Sequence, residues 1–138
     1  MNVLPANSSL EEVQEFFKDD RFATGIGCRI VEATPKRTVC ELDIQPEHLN
    51  AGGIVMGGAT YTLGDFALGV ACCLDGVMRV GAEGHIRYLA AAKGTKLIAE
   101  CTPDKIGNRL SYYTVRISDN TGRQVAIVTG TTCARKPQ

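Results

Sequence analysis

The sequence contains no tryptophan, and only four phenylalanines and four tyrosines among 138 residues. A core assembled from it must rely on small and β-branched side chains, and it lets backbones approach closely. Net charge is missing as well, because 15 basic residues balance 15 acidic ones. That excludes the concentrated positive field on which nucleic-acid and anionic-membrane binders depend. The longest apolar run, residues 66–74, is about half of a membrane span and includes Gly69. No C-x-x-C pair joins the six cysteines (Cys28, Cys40, Cys72, Cys73, Cys101 and Cys133), and neither His48 nor His85 stands at ligand spacing from one. No metal site or redox cofactor is therefore expected. The first twenty residues lack a basic segment followed by an apolar one. The thiols are expected to be free and mostly buried, in a reducing cytoplasm.

What is present is ordinary apolar content and fifteen glycines. Hydrophobic residues make up 44% and charged ones 22%, so disorder is excluded. The length suits a single domain spanning residues 1–138, large enough to fold without a disulfide or metal staple.

Ser8 or Ser9 followed by Glu11 and Glu12 starts a helix, and Leu10, Val13, Phe16 and Phe17 carry it over roughly residues 9–19. Cys28 and Ile30, then Thr38–Ile44, flank the turn Thr34-Pro35-Lys36 and read as an antiparallel hairpin. Residues 57–74 are apolar or small nearly all round, the pattern of a buried helix. Its glycines cost helix propensity, up to ~1 kcal/mol each. Close contact with a wrapping sheet would compensate. Four strands follow, Arg79–Leu89, Thr95–Pro103, Arg109–Ser118 and Gln124–Ala134, separated by turn residues. In the third, Tyr113, Val115 and Ile117 share one face and Tyr112, Thr114, Arg116 and Ser118 the other. The fold class is α+β: one antiparallel sheet wrapped around a central apolar helix.

Chemistry concentrates at the loop-to-helix junction, His48 to Gly58. Glycines before a buried helix leave free amides at its positive end, which suits an anion or a developing oxyanion. Glycines serving tight helix–sheet packing are the plainer reading. Asp65 is the only charged residue between His48 and Asp75. Buried, it would be a base or nucleophile with a raised pKa, or else a structural acid bonded to Tyr61 or Thr62. No serine sits in a nucleophile motif, and Cys72-Cys73 has no positive neighbour in sequence to activate a thiol.

Asn50-Ala51-Gly52-Gly53-Ile54-Val55-Met56-Gly57-Gly58, followed by Leu63-Gly64-Asp65, resembles the motif of hotdog-fold acyl-CoA thioesterases of the PaaI-like, phenylacetate-degradation type. The likeness continues through Ile86–Leu89, Lys93-Gly94, Gly107-Asn108-Arg109 and the closing strand. Met56 replaces the family's histidine and Ala91 its usual proline. The resemblance implies hydrolysis of an acyl-CoA thioester to free acid and CoA. The Gly57 amide would be the oxyanion donor, Asp65 the base or nucleophile, and Asn50 would hold the loop or the water. Met56 and Gly58 would line the thioester, with His85, Arg87, Lys93 or Arg109 near the CoA. Residues 57 and 65 lie ~12 Å apart along one helix, so one carbonyl cannot touch both. The resemblance accordingly implies a site shared across a homodimer, pairing into a tetramer. A non-catalytic acyl-CoA-binding module is the alternative, and a hotdog dehydratase, which wants an Asp–His pair, a weaker one.

Overall fold

The computed structural model describes residues 2–136; residues 1, 137 and 138, the ends of the expected 1–138 domain, lie outside it. Helix α1 (Leu10–Phe17) is capped by Ser9, whose hydroxyl accepts the Glu12 amide while the Glu12 carboxylate accepts the Ser9 amide. It stops two residues short of the expected end. A five-residue helix α2 (Arg21–Gly25), too short to show an apolar period, follows and closes at Gly27 with φ of +107°.

The hairpin is present as β1 (Arg29–Thr34) and β2 (Arg37–Asp43), with a bulge between Ile30 and Glu32. A 3₁₀ turn at Pro46–His48 leads to α3 (Gly57–Ala71). Strands β3 (Arg79–Tyr88), β4 (Lys96–Ile106), β5 (Leu110–Asp119) and β6 (Gln124–Ala134) complete an antiparallel sheet ordered β1-β2-β4-β5-β6-β3. The expected α+β wrapping of a sheet around one helix is met. All six cysteines are free, and only Cys133 is not fully buried. No helix of the described residues is long and apolar enough to cross a membrane.

The inward face of β5 carries Ser111, Tyr113, Val115 and Ile117, all buried, as its alternation requires. Tyr113, Val115 and Ile117 share one core with Leu63, Ala67 and Val70 of α3 and with Leu42, Leu97 and Val128. A methyl group at Gly64 would lie 2.9 Å from a Val128 methyl and 3.1 Å from Ile117. Here the wrapping sheet does compensate for a helix glycine. The helix is not buried all round, however. It ends at Ala71 rather than Leu74, and a stripe through Gly58, Thr62, Asp65 and Gly69 is left uncovered at the β3 edge of the sheet. One twisted sheet encloses a single helix on one side only.

Two buried polar side chains fasten the connections. His48 accepts the Gln45 amide at Nδ1 (3.0 Å) and donates from Nε2 to the Ile26 carbonyl (2.7 Å). It joins the segment before α3 to the end of α2. Asp119, 1% exposed, accepts the amides of Lys93, Gly94, Thr121 and Arg123 and the Thr121 hydroxyl. It binds the β3–β4 connection to the β5–β6 turn.

These donors, the Thr121 hydroxyl foremost and then the Lys93 amide, hold the Asp119 carboxyl well below the usual carboxylate range. A depressed pKa stabilises the fold above the unfolded-state value of ~4, and that contribution fades as pH falls below it. Asp119→Asn should therefore lower the melting temperature at pH 7, and the gap from wild type should narrow by pH 3. Thermal unfolding followed by circular dichroism across that range checks it; a gap that does not change with pH would refute the assignment.

Candidate active site

The loop before α3 is built by Asn50. Its Oδ1 accepts the amides of Gly52 (2.9 Å) and Ile54 (3.3 Å), and its own amide donates to the Ile54 carbonyl. Gly53 supplies φ of +77° inside that turn. The Met56 amide donates to the His48 carbonyl at 2.8 Å, which fixes where α3 begins. Met56 is the N-cap residue, yet its side chain caps nothing and is 58% exposed. The Gly57 and Gly58 amides consequently have no partner among the described residues. Both point along the positive end of the helix, where an oxyanion is stabilised.

Tyr88, on β3, holds that end from the other side. Its hydroxyl donates to the Gly57 carbonyl at 3.0 Å, and its ring takes the space a Gly57 side chain would need, with Oη 2.8 Å from such a methyl. Asn50, Val55, Gly57, Thr60, Tyr88 and Ala90 line a cleft of about 380 Å³.

Asp65 was expected to be buried, and it is exposed, because it lies on the stripe that the sheet leaves uncovered. Neither hydroxyl beside it bonds to it: Thr62 donates instead to the Gly58 carbonyl at 2.8 Å, and no Tyr61 bond reaches it among the described residues. Its pKa is nonetheless raised, by desolvation from the walls around the carboxyl. One wall belongs to a cleft of about 360 Å³ between α2 and α3, with Asp20, Phe22, Phe66, Gly69 and Arg79. A smaller one, about 280 Å³, adds Tyr61, Glu83 and Gly84. Asp20 is also raised, first by burial and then by Asp65. Neither cleft shares a residue with the one beside Gly57. Within one chain, the amide and the carboxylate open onto different places.

The remaining candidates are dispersed. Gly84 and Tyr88 face α3, so His85 and Arg87, which alternate with them, lie on the outer face of the sheet. Lys93 and Arg109 are both exposed, but Lys93 sits beside Asp119 and Arg109 immediately precedes Leu110. The ten residues of β5 separate these ends, ~30 Å. The described residues hold no cluster of three metal-ligating side chains.

Sequence reasoning missed Tyr88, Phe22 and Arg79. Arg79 also corrects the reading of Cys72-Cys73 as lacking a positive neighbour. It is 6% exposed, pairs with Asp75 at 2.6 Å and donates to the Cys72 carbonyl at 2.9 Å. A hydrogen bond from the Cys72 thiol, Sγ to Sγ 3.8 Å, and then Arg79 lower the pKa of the Cys73 thiol. The two thiols remain buried in the core.

The strand order and the enclosed helix define a hotdog domain, with bare amides at the start of its helix. Residues 52–126 match the Thioesterase superfamily, and the chain belongs to that family. Its class of reaction is thioester hydrolysis. It is 31% identical to human acyl-coenzyme A thioesterase 13 over 101 residues, 70% of this chain and 72% of that protein. The fold is similar to that of the E. coli PaaI protein of the phenylacetic acid degradation operon, with TM-score 0.85 and 20% identity, covering 94% of this chain and 99% of that one. It is similar also to a Streptococcus pneumoniae thioesterase protein with coenzyme A, with TM-score 0.80 and 24% identity, covering 88% and 98%.

The fit between Gly57 and Tyr88 is open to a rescue experiment. Gly57→Val should lower the melting temperature by displacing the ring, and Gly57→Val with Tyr88→Ala should recover part of the loss. Strict additivity of the two changes would refute the contact.

Proposed function

We propose that the chain, as one domain over residues 1–138, hydrolyses acyl-CoA thioesters at a site shared between two copies. The observation that carries this reading is the separation just described: an unpartnered amide pair and a desolvated carboxylate on one helix, opening into different clefts. The thioester oxygen would accept the Gly57 amide, an interaction worth ~3–4 kcal/mol in the transition state. Asp65 of the second copy, ionised, attacks the carbonyl or takes a proton from the attacking water. Where water attacks, the carbon–sulfur bond breaks to release the acid, and the CoA sulfur leaves with the proton that Asp65 took. Where Asp65 attacks, the same bond breaks to give an anhydride with its carboxyl, and water then hydrolyses the anhydride, releasing the acid and protonating the thiolate. Asn50 already spends its oxygen on the loop, which supports a role in shaping it. Met56 and Gly58 would flank the thioester. His85, Arg87, Lys93 and Arg109 would contact the CoA only as different subunits bring them together. The names of the human relative and of the pneumococcal structure support CoA as the carrier.

The β3 edge supports the assembly, since it ends the sheet and is exposed from Val80 to His85. A two-fold dimer would cover it, and two dimers would form a tetramer. Six free cysteines fit a reducing cytoplasm. No nucleic-acid or membrane partner is proposed. Met56, where the family carries histidine, favours a second reading: a module that binds acyl-CoA without cleaving it.

Release of free thiol from acyl-CoAs decides between the two, because the binding module releases none. In the hydrolase, Asp65→Asn should reduce turnover at least ~10²-fold without lowering the melting temperature at neutral pH. Because the carboxyl pKa is raised, wild-type kcat/KM should fall as pH drops through a value above 3.8. Wild-type turnover in Asp65→Asn would remove Asp65 from the site.

Complementation tests the sharing. Co-assembled Asp65→Asn and Gly57→Val chains, each inactive alone, should recover up to one working site per mixed dimer. Inactive mixtures with demonstrated subunit exchange would exclude the shared site.

A further inference from the structure

Glycine weakens a strand interior, yet Gly84 stands in the middle of β3. A methyl group there would lie 2.2 Å from the Tyr61 hydroxyl oxygen and 3.5 Å from the ring carbon that bears it, the only near contacts it would make among the described residues. The strand gives up a side chain to seat one hydroxyl. That hydroxyl has no structural task. Tyr88 donates to the Gly57 carbonyl, Thr62 to the Gly58 carbonyl and Thr131 to Glu83, whereas Tyr61 Oη has no hydrogen-bond partner among the described residues. It lines the smaller cleft with Asp65, four residues further along α3 and therefore on the same face. Burial first, then the Asp65 carboxylate, with Glu83 and Tyr88 adding to it, hold the phenol above its ordinary value. The hydroxyl therefore keeps its proton at neutral pH and is free to donate a hydrogen bond. Symmetry places it as well. Where Gly57 of one copy faces Asp65 of the other, the two-fold makes Asp65 of the first face Gly57 of the second. The two α3 helices then run antiparallel, and position 61, midway between 57 and 65, meets the axis. Each Tyr61 lies only ~6 Å along the helix from the level of a shared site.

We propose that Tyr61 is a further catalytic residue of the shared site, its hydroxyl donating to the thioester oxygen beside the Gly57 amide. The inference rests on hydrolysis at a site shared between two copies. The Gly57 amide meets that oxygen along the axis of one helix, and the hydroxyl meets it from the seam between the two. Tyr61 keeps its proton throughout and transfers nothing. It lends a hydrogen bond as negative charge gathers on the oxygen, while Asp65 acts on the water or the carbonyl. A bond that strengthens only as charge develops lowers the barrier without tightening the ground state. Gly84 is then a positioning residue, because its missing side chain lets the hydroxyl stand where it does.

The test follows free-thiol release from whichever of acetyl-, hexanoyl- and benzoyl-CoA the wild type cleaves fastest, in Tyr61→Phe, Gly84→Ala and the pair. Tyr61→Phe should lower kcat ~10²-fold, the cost of one lost oxyanion donor, with KM, oligomer mass and melting temperature unchanged. The acid limb of its kcat/KM profile should stay at the wild-type pH, because the Asp65 carboxylate is untouched. Gly84→Ala keeps the hydroxyl but displaces it, so kcat should fall there too, and the pair should be no slower than Tyr61→Phe alone. Gly84→Ala with mass retained carries the test if Tyr61→Phe assembles poorly. Near wild-type kcat in Tyr61→Phe would overturn the proposal. Additive losses in the pair would overturn it as well, since they mark a packing effect. So would a displaced acid limb in Tyr61→Phe, which would make the hydroxyl a neighbour of the carboxylate and not of the substrate. The underlying reading fails differently. A wild type that releases no thiol ends the hydrolase reading and this one with it. An active Asp65→Asn beside a slow Tyr61→Phe refutes the carboxylate and keeps the hydroxyl. An inactive Asp65→Asn beside an unimpaired Tyr61→Phe keeps the carboxylate and refutes the hydroxyl.

Discussion

The approach of the sheet to α3 at Gly64 governs the rest of the structure. With no side chain there, Val128 and Ile117 come to within about 3 Å of where one would begin. That contact brings β5 and β6 onto the middle of the helix, and a core without tryptophan closes around it. Enclosure by a single sheet has a geometric limit. A twisted layer covers one side of a helix, so the other side, from Gly58 through Asp65 to Gly69, remains open. The candidate chemistry lies on that side.

Rigid connections keep the open side in register with the sheet. His48 and Asp119 are polar and buried, and each satisfies backbone groups that a long connection would otherwise leave unpaired. His48 fixes the entry to α3, so the Gly57 and Gly58 amides are presented at a constant position. Asp119 fixes the exit from β3, the strand that carries Tyr88. The hydroxyl of Tyr88 then orients the Gly57 peptide directly. Preorganised donors of this kind need no rearrangement when charge develops nearby.

Strand alternation and a helix start at Ser8 or Ser9 were legible because both are local, and the structure chooses Ser9 with Glu12 as its reciprocal partner. So was the junction from Asn50 to Asp65, whose residue order is specific. Helix α2 was not, since five residues show no period. The burial of Asp65 was misjudged from its apolar neighbours in sequence, although spacing held the remedy. Gly58, Thr62, Asp65 and Gly69 recur at intervals of four, three and four, one face of a helix. That face is small and polar while its opposite is Leu63, Ala67 and Val70. Tyr88 against Gly57 and Arg79 against Cys72 are contacts across the fold, and no local pattern encodes them.

The glycines of α3 sort by what stands opposite them. Where the chain's own side chains crowd the position, glycine serves stability, and substitution strains the fold. At Gly58 and Gly69 nothing crowds it, and at Gly69, in the helix interior, glycine costs helix propensity, ~1 kcal/mol against alanine, without return from packing. Asp65, on the same face, carries a carboxylate whose ionised form the surrounding walls disfavour. Two features of one face thus weaken the isolated domain while leaving room and an acid beside each other. Stability given up at adjacent positions on a single face is the expected mark of a place shaped by what it must receive. In this chain that place is the side of the helix that its own sheet borders along β3 but does not cover.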